Sequence, residues 1–230
     1  MEEDFCGTAS DGKVEEMKEI LRDNPTLDVN WTKDEDGCSA LYLTCSNGHD
    51  SAVSVLLAHP DIDVNLKNMN GDTPFGNACY HGNTSCVQEM LKDSRVNVNE
   101  VNQYGCTPLY WAAYFGHLDI IRWWIVSGQE MDLGTPEREE TDAVGAAKQE
   151  GRTDVVTLLE RFKSDPTKTR SEVKMELGIT TGQYSCHPSS IIRNPSLGGD
   201  LHYLFVLFAQ FRFPCDHPTQ AHAARVPGLS

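Results

Sequence analysis

The chain has 230 residues, 34 acidic and 19 basic, for a net charge of −15. That balance excludes gripping a nucleic-acid backbone by charge, which needs clustered Lys and Arg; beyond solubility, it favours a basic protein as partner. The deficit is local: residues 1–180 hold 16 Lys+Arg against 32 Asp+Glu, so −16, whereas residues 181–230 hold 3 against 2, so +1.

In chain order, the start is Met1-Glu2-Glu3-Asp4, acidic where a secretory signal would be basic and then apolar. Phe5, Ala9, Gly12, Val14, Met17, Ile20 and Leu21 then fit a pair of short helices. From there one pattern repeats every 34 residues. Gly37-Cys38-Ser39-Ala40-Leu41-Tyr42 returns as Gly71-Asp72-Thr73-Pro74-Phe75-Gly76 and as Gly105-Cys106-Thr107-Pro108-Leu109-Tyr110. A second glycine keeps the same register at Gly48, Gly82 and Gly116, and Asp63-Val64-Asn65 recurs as Asn97-Val98-Asn99. A period of this length signals stacked supersecondary units rather than one globular core.

Each marker has a mechanical task. Thr-Pro opens a helix, with the Thr side chain accepting from a free amide and Pro suited to the first helical position. Leu41, Phe75 and Leu109 then face inward, and the glycines fit the left-handed residue that ends the helix. Thr44-Cys45, Ala78-Cys79 and Ala112-Ala113 are small where two helices approach closely. A second helix follows in each unit, with Val53, Leu56 and Leu57, then Val87, Met90 and Leu91, then Ile121, Trp124 and Ile125 at helical spacing. Trp111, Trp123 and Trp124 serve packing, Trp124 at the position where the other units carry Leu. An acidic stretch at residues 137–142 precedes Ala143, Ala146-Ala147, Gly151, Val155-Val156 and Leu158-Leu159, which fit a last helix pair.

These blocks resemble the ankyrin repeat, whose unit carries Gly-x-Thr-Pro-Leu-His, then Ala-Ala-x-x-Gly-His, then a Leu pair and Asp-x-Asn. The fullest match is residues 105–127, with Thr107-Pro108-Leu109, Ala112-Ala113 and Gly116-His117. The resemblance spans residues 3–163 and implies an all-α repeat solenoid of helix-turn-helix units with loop or β-turn tips. It divides into a cap at 3–33, repeats at 34–67, 68–101 and 102–135, and a cap at 136–163. A short helical extension, 164–178, leaves the stack, and a tail, 179–230, follows. The family's Thr-Pro-Leu-His histidine, which ties neighbouring loops, is replaced by Tyr42, Gly76 and Tyr110. That predicts a softer stack, weakest at the middle repeat, where Gly76 costs about 1 kcal/mol against Ala in a helix. His49 and His117 follow the helix-ending glycines, where the family uses His structurally.

The resemblance also implies a function. The family grips other proteins with its loop tips and the exposed face of each first helix, which together form a concave side. Carried over residue by residue, the tips are Glu35, Asp36, Met69, Asn70, Asp72, Gln103 and Tyr104, joined by the thiols Cys38 and Cys106. The first-helix positions are Ser46, Asn47, Tyr80, His81, Tyr114 and Phe115. Tyr80, Tyr104, Tyr114 and Phe115 form an aromatic group of the kind that anchors partners; the alternative is that they pack on each other across repeats. Asn65 and Asn99 fall in the loop motif that an asparaginyl hydroxylase modifies, eight residues after Leu57 and Leu91, while a loop Asn bonding its own backbone is the structural alternative.

Eight cysteines suggest a disulfide set, but Cys38 and Cys106 sit two repeats apart, and Cys45 and Cys79 lie on stacked helices about 8–10 Å apart. They are read as thiols of a reducing compartment, intracellular and cytoplasmic or nuclear. Residues 179–230 hold no Lys and no Glu, yet four of the eight His and five of the eleven Pro. Residues 201–213 are an apolar run too short and too polar to span a bilayer. It fits a strand, a docking segment or an aggregation-prone stretch, within a tail whose composition favours a disordered extension. Cys215, His217 and His222, with Cys186-His187 upstream, match no zinc spacing. No phosphate-binding glycine loop, nucleophile elbow or His-Glu-x-x-His stands in the sequence. The sequence therefore predicts a monomeric, non-catalytic protein-binding module with no cofactor, metal or membrane partner. Its rivals are a regulatory fragment lacking an effector domain, and a metal-binding or catalytic tail.

Overall fold

The computed structural model describes residues 1–33, 36–133 and 142–179, all within one compact unit, Met1–Gln183. Eleven helices lie among them: α1 (Glu2–Ser10), α2 (Val14–Asp23), α3 (Ala40–Asn47), α4 (Asp50–Leu57), α5 (Pro74–His81), α6 (Thr84–Leu91), α7 (Pro108–Phe115), α8 (Leu118–Ser127), α9 (Ala143–Gln149), α10 (Thr153–Ser164) and α11 (Pro166–Glu176). The odd-numbered helices α1, α3, α5, α7 and α9 pack one on the next in a single row. A second row runs α2, α4, α6, α8. The result is an all-α repeat solenoid. Its only strands among the described residues are β1 (Thr32–Lys33) and β2 (Cys38–Ser39), an antiparallel pair that pins the first tip.

The helix starts form for the reason the Thr-Pro blocks suggest. The Thr73 hydroxyl accepts from the Gly76 amide at 3.0 Å and the Thr107 hydroxyl from the Tyr110 amide at 3.1 Å, each followed by Pro in the first helical turn. Ser39 does the same for Tyr42 at 3.2 Å, and Asp142 for Gly145 at 2.7 Å. Leu41, Phe75 and Leu109 are fully buried, as are the small residues behind them. In the second row Val53, Leu56, Val87, Met90, Ile121, Trp124 and Ile125 are completely enclosed. Trp124 meets Phe75 edge-on at 5.1 Å. One continuous core runs from Phe5 to Val173, so each repeat is buried by its neighbours rather than by itself.

The helix-ending glycines answer two demands at once. Gly82 adopts a left-handed conformation, φ 77°, which only Gly occupies without strain. A Cβ there would also lie 2.5 Å from the His117 ring of the next repeat. The same stacking puts His49 over Gly12, Asn83 over Gly48 and Arg152 over Gly116. From three of these seats, those of Asn83, His117 and Arg152, the side chains bond the last carbonyls of the preceding first helix. Asn83 Nδ2 donates to the carbonyls of Cys45 and Ser46 at 2.7 and 2.8 Å, and Arg152 Nε to that of Tyr114 at 3.2 Å. His117 Nε2 lies 3.1 Å from the Tyr80 carbonyl. The residue after the glycine thus closes orphan carbonyls that a helix end leaves open.

A second ladder joins the loops. Asn30, Asn65 and Asn99 each reach one repeat onward with both ends of the amide. Asn65 Nδ2 donates to the Arg95 carbonyl at 2.8 Å while its Oδ1 accepts from the Asn97 amide at 2.8 Å. Asn99 bridges Glu130 and Asp132 in the same way, and Asn30 bridges Asp61 and Asp63.

Two expectations change. The extension after α10 does not leave the stack: α11 turns back and packs against both α8 and α10, burying Thr169 and Val173 completely. Arg170 Nε then donates to the Ile125 carbonyl at 2.8 Å, near the end of α8. With α11 between them, α8 and α10 touch less than other neighbours in the second row. The tips, too, remain tied without the missing histidines. The Met69 amide donates to the Asp36 carbonyl at 3.0 Å and the Gln103 amide to the Asn70 carbonyl at 3.1 Å. Asn68 Nδ2 donates to the Tyr42 hydroxyl at 3.1 Å, and Asn102 Nδ2 to Asp72 Oδ1 at 2.9 Å. Tyr42, at the histidine position, and Asp72, on the tip itself, therefore accept the side-chain ties between neighbouring tips.

Candidate functional site

The tips and the first-helix row enclose a groove of ≈ 350 Å³ lined by Tyr42, Asn70, Asp72, Gly76, Asn77, Tyr80, His81, Asn102, Tyr104 and Trp111. Its position follows from the repeat register. Residues 42, 76 and 110 are equivalent, and the row reads Tyr, Gly, Tyr. The middle unit lacks the side chain its neighbours carry, so the row opens at Gly76. Asn102 shapes the tip above it: its Oδ1 accepts from the amides of Tyr104 and Cys106 at 3.0 and 3.1 Å. Asn68 holds the preceding tip identically, accepting from Asn70 and Asp72 at 2.9 Å each. Rigid tips thus fix Asn70, Asp72 and Tyr104 at the rim.

Beside the groove lies a cluster of aromatic rings. Tyr80 meets Trp111 at 5.2 Å and Phe115 at 4.7 Å, both edge-on. Tyr114 meets Phe115 at 5.1 Å, and Trp111 stacks over Phe115 at 6.2 Å. These are favourable ring geometries, and they bind α5 to α7 across the repeat boundary. The aromatics therefore pack on each other and still reach solvent: Tyr80 and Tyr104 are each 41% exposed, and Trp111, Tyr114 and Phe115 are half-buried.

Of the residues expected at the binding side, Asn70, Asp72, Tyr80, His81 and Tyr104 meet in the groove, while Tyr114 and Phe115 join through the ring cluster. The others stand apart. Met69 is 71% exposed on its tip, and Asp36 is exposed one tip earlier. Gln103 bonds the Asn70 side chain at 3.3 Å. Asn47 is committed to Ser10 at 2.8 and 3.0 Å, and the Ser46 carbonyl to Asn83. Glu35 lies outside the described residues, as do Cys186, His187, Cys215, His217, His222 and the apolar run at 201–213.

Tyr42, Gly76, Asn77, Asn102 and Trp111 also line the site, beyond what the family pattern assigns. Trp111 is the instructive case. Trp124 is core and Trp123 packs half-buried against it, as expected, but Trp111 turns toward the groove. Its signal was the i, i+3, i+4 spacing with Tyr114 and Phe115, which puts three rings on one helix face.

The site's electrostatics are acidic. No cation among the described residues pairs with Asp72 or Asp36, whereas Lys67, Lys92 and Arg95 are each held by a carboxylate. Burial, and then the neighbouring Asp72 carboxylate, push the Tyr42 phenol up, so it stays protonated. The thiols of Cys6, Cys45, Cys79 and Cys86 are poor nucleophiles. Burial raises Cys45 and Cys79 well above the usual range and Cys6 and Cys86 to about 11. Cys6, Cys38, Cys45, Cys79 and Cys86 are free thiols. Among the described residues no group of three or more His, Cys, Asp or Glu is placed to hold a metal ion, and no helix is long and apolar enough to cross a membrane.

A family model for ankyrin repeats (3 copies) matches residues 8–99 and 60–135, more than half of the chain. No curated protein matches it.

Proposed function

The chain belongs to the ankyrin-repeat family, whose repeats mediate binding to other proteins, and from that premise we propose that it binds one partner protein, without catalysis, through the face made by its tips and first helices. The observation that carries this reading is the cluster of Tyr80, Trp111, Tyr114 and Phe115. It crosses two repeats, keeps solvent access, and opens onto a groove whose Asp72 carboxylate meets no cation among the described residues. Large rings pre-packed on one another lose little freedom when a partner covers them, which suits binding anchors. The partner is basic on the contacting side: residues 1–180 carry −16, Asp72 lines the groove beside the rings, and Asp36 is exposed one tip earlier. Those rim charges set on-rate more than affinity. An intracellular compartment fits the free thiols Cys6, Cys38, Cys45, Cys79 and Cys86, four of them buried.

The test uses the full chain as bait for soluble extract, with wild type and Tyr114→Ala/Phe115→Ala side by side. A partner that uses this face is retained by wild type and loses roughly 2 kcal/mol or more of affinity on the double variant. Asp36→Ala costs less, and its effect shrinks in high salt because an exposed charge is screened. Circular dichroism must show both variants folded, since the rings also pack. A partner held equally by a folded double variant would place binding on the other face of the solenoid.

A further inference from the structure

We infer that the groove over Gly76 receives one arginine side chain of a basic partner segment, with the cation at Asp72 and the aromatic walls and the arginine's own backbone carbonyl at Asn77. This rests on the proposed binding face and narrows it to a chemical group.

Three features select that group. First, the groove is small. At ≈ 350 Å³ it lies near the lower end of ligand sites, which run to ~1,000 Å³. It accepts one long side chain with the backbone bearing it, not a helix. Second, Asp72 stands at its rim as a carboxylate that accepts from Asn102 and, among the described residues, makes no ion pair. Tyr80 and Trp111 form the walls, and the faces of such rings attract cations. A guanidinium matches this pairing better than an ammonium. It is planar, lies flat on rings, and offers paired N–H groups to a carboxylate, whereas lysine's ammonium is a compact, strongly hydrated charge.

Third, Asn77 lines the groove at 7% exposure, and its Nδ2 is buried with no hydrogen-bond partner. That atom has no accessible surface as it stands, so an acceptor reaches it only when the Asn77 amide turns toward the groove it lines, and a bond made there offsets the cost of a buried donor left unmade. A guanidinium has no acceptor to give. A peptide carbonyl does, so the fitting ligand is an arginine within a polypeptide rather than a free cation. The register adds a structural reason for the gap: Tyr42 and Tyr110 stand at the equivalent positions of the two adjoining repeats, where the middle unit has only Gly76.

The experiment titrates the full ¹⁵N-labelled chain with three acetylated, amidated peptides, Ser-Gly-Ala-X-Ala-Gly-Ser, where X is arginine, citrulline or lysine. Citrulline keeps arginine's shape without its charge. The arginine peptide should shift the Trp111 indole and Asn77 side-chain amide signals saturably. Citrulline should bind about tenfold more weakly or less, and lysine several-fold more weakly. Asp72→Asn should weaken the arginine peptide about tenfold and flatten its salt dependence. Gly76→Tyr, which completes the row with a residue its neighbours already tolerate, should abolish binding while the far-ultraviolet spectrum stays helical. No saturable shift at those two groups, equal binding of citrulline or lysine, or undiminished binding to folded Gly76→Tyr would each overturn the inference. If the peptides fail while Tyr114→Ala/Phe115→Ala still loses a captured partner, the groove assignment falls and the binding face stands. If both fail, the face itself is wrong.

Discussion

Replacing Gly76 by Ala should stabilise this protein, although Gly76 lies in the candidate groove. Gly76 is the third residue of α5, after the capping Thr73, and its backbone is outside the left-handed region. Glycine there carries the entropic penalty of its class with none of the conformational need, about 0.5–1 kcal/mol against Ala. The obstacle is steric: a Cβ would lie 3.3 Å from the Thr73 hydroxyl and 3.7 Å from Pro108. The neighbouring repeats show that this is tolerable. Tyr42 and Tyr110 occupy the same position, carry a Cβ, and keep the same cap bond at 3.2 and 3.1 Å, against 3.0 Å at Gly76. A relaxation of one or two tenths of an ångström is therefore all the cap requires.

The gain should appear as a rise in the urea midpoint with an unchanged m-value, followed by far-ultraviolet circular dichroism. For a domain this size it corresponds to a rise in Tm of about 1–4 °C. Because neighbouring repeats are coupled in one dimension, the gain should also be local. Amide exchange in α5 and α6 should slow by about two- to fivefold, while α1 and α2 change less. A fall in midpoint would show that Thr73 cannot yield as Ser39 and Thr107 do. A rise spread evenly along the chain would refute the idea that the middle repeat is the weak unit.

Three further outcomes follow from named contacts. At Asp93, burial pushes the carboxyl up, but hydrogen bonds and charge from Arg95 outweigh it and hold the group below its usual value. A depressed folded value means stability present above the unfolded value of about 3.9 and lost as pH falls through the folded one. Asp93→Asn should therefore cost roughly 1 kcal/mol at neutral pH in a urea titration and converge with wild type in acid. Asn65→Ala should cost about 1–2 kcal/mol by removing both bridges to the next repeat. If Asn65 and Asn99 are also hydroxylated, the intact mass of protein from its native host will show added oxygen, and an unmodified mass removes that second role. Deleting residues 180–230 should leave the thermal transition within a few degrees, because α11 already covers α8 and α10. A large loss of helical signal would show that the stack depends on the deleted segment.

The fold was legible because its markers are residues present in register. Thr107-Pro108 forms a cap bond, Gly82 ends a helix beneath His117, and Asn65 bridges repeats, each for a reason that residue type and spacing already contain. What spacing could not supply was the destination of α11. Its sequence shows a good helix start, Asp165-Pro166, but its burial depends on Val173 and Thr169 finding α8, a contact formed by residues 45 apart in the case of Arg170 and Ile125. No local pattern encodes that return.

The candidate site was legible by halves for a related reason. Tyr80, Tyr104, Tyr114 and Phe115 announce themselves as large residues where the family exposes its surface. A groove, by contrast, is made by what is missing, and its detection requires comparing a position with its copies. Against Ala in a helix, Gly76 is a defect. Compared instead with Tyr42 and Tyr110, the same glycine is the place where a side chain is missing from the groove lining. The two descriptions predict opposite consequences for different substitutions at one residue. A methyl group repairs the helix and leaves most of the space, so Gly76→Ala should gain stability and keep arginine-peptide binding. A phenol fills the space, so Gly76→Tyr should keep the fold and lose the ligand. If stability and binding moved together across both substitutions, the glycine would be a plain defect, and the groove an accident of it.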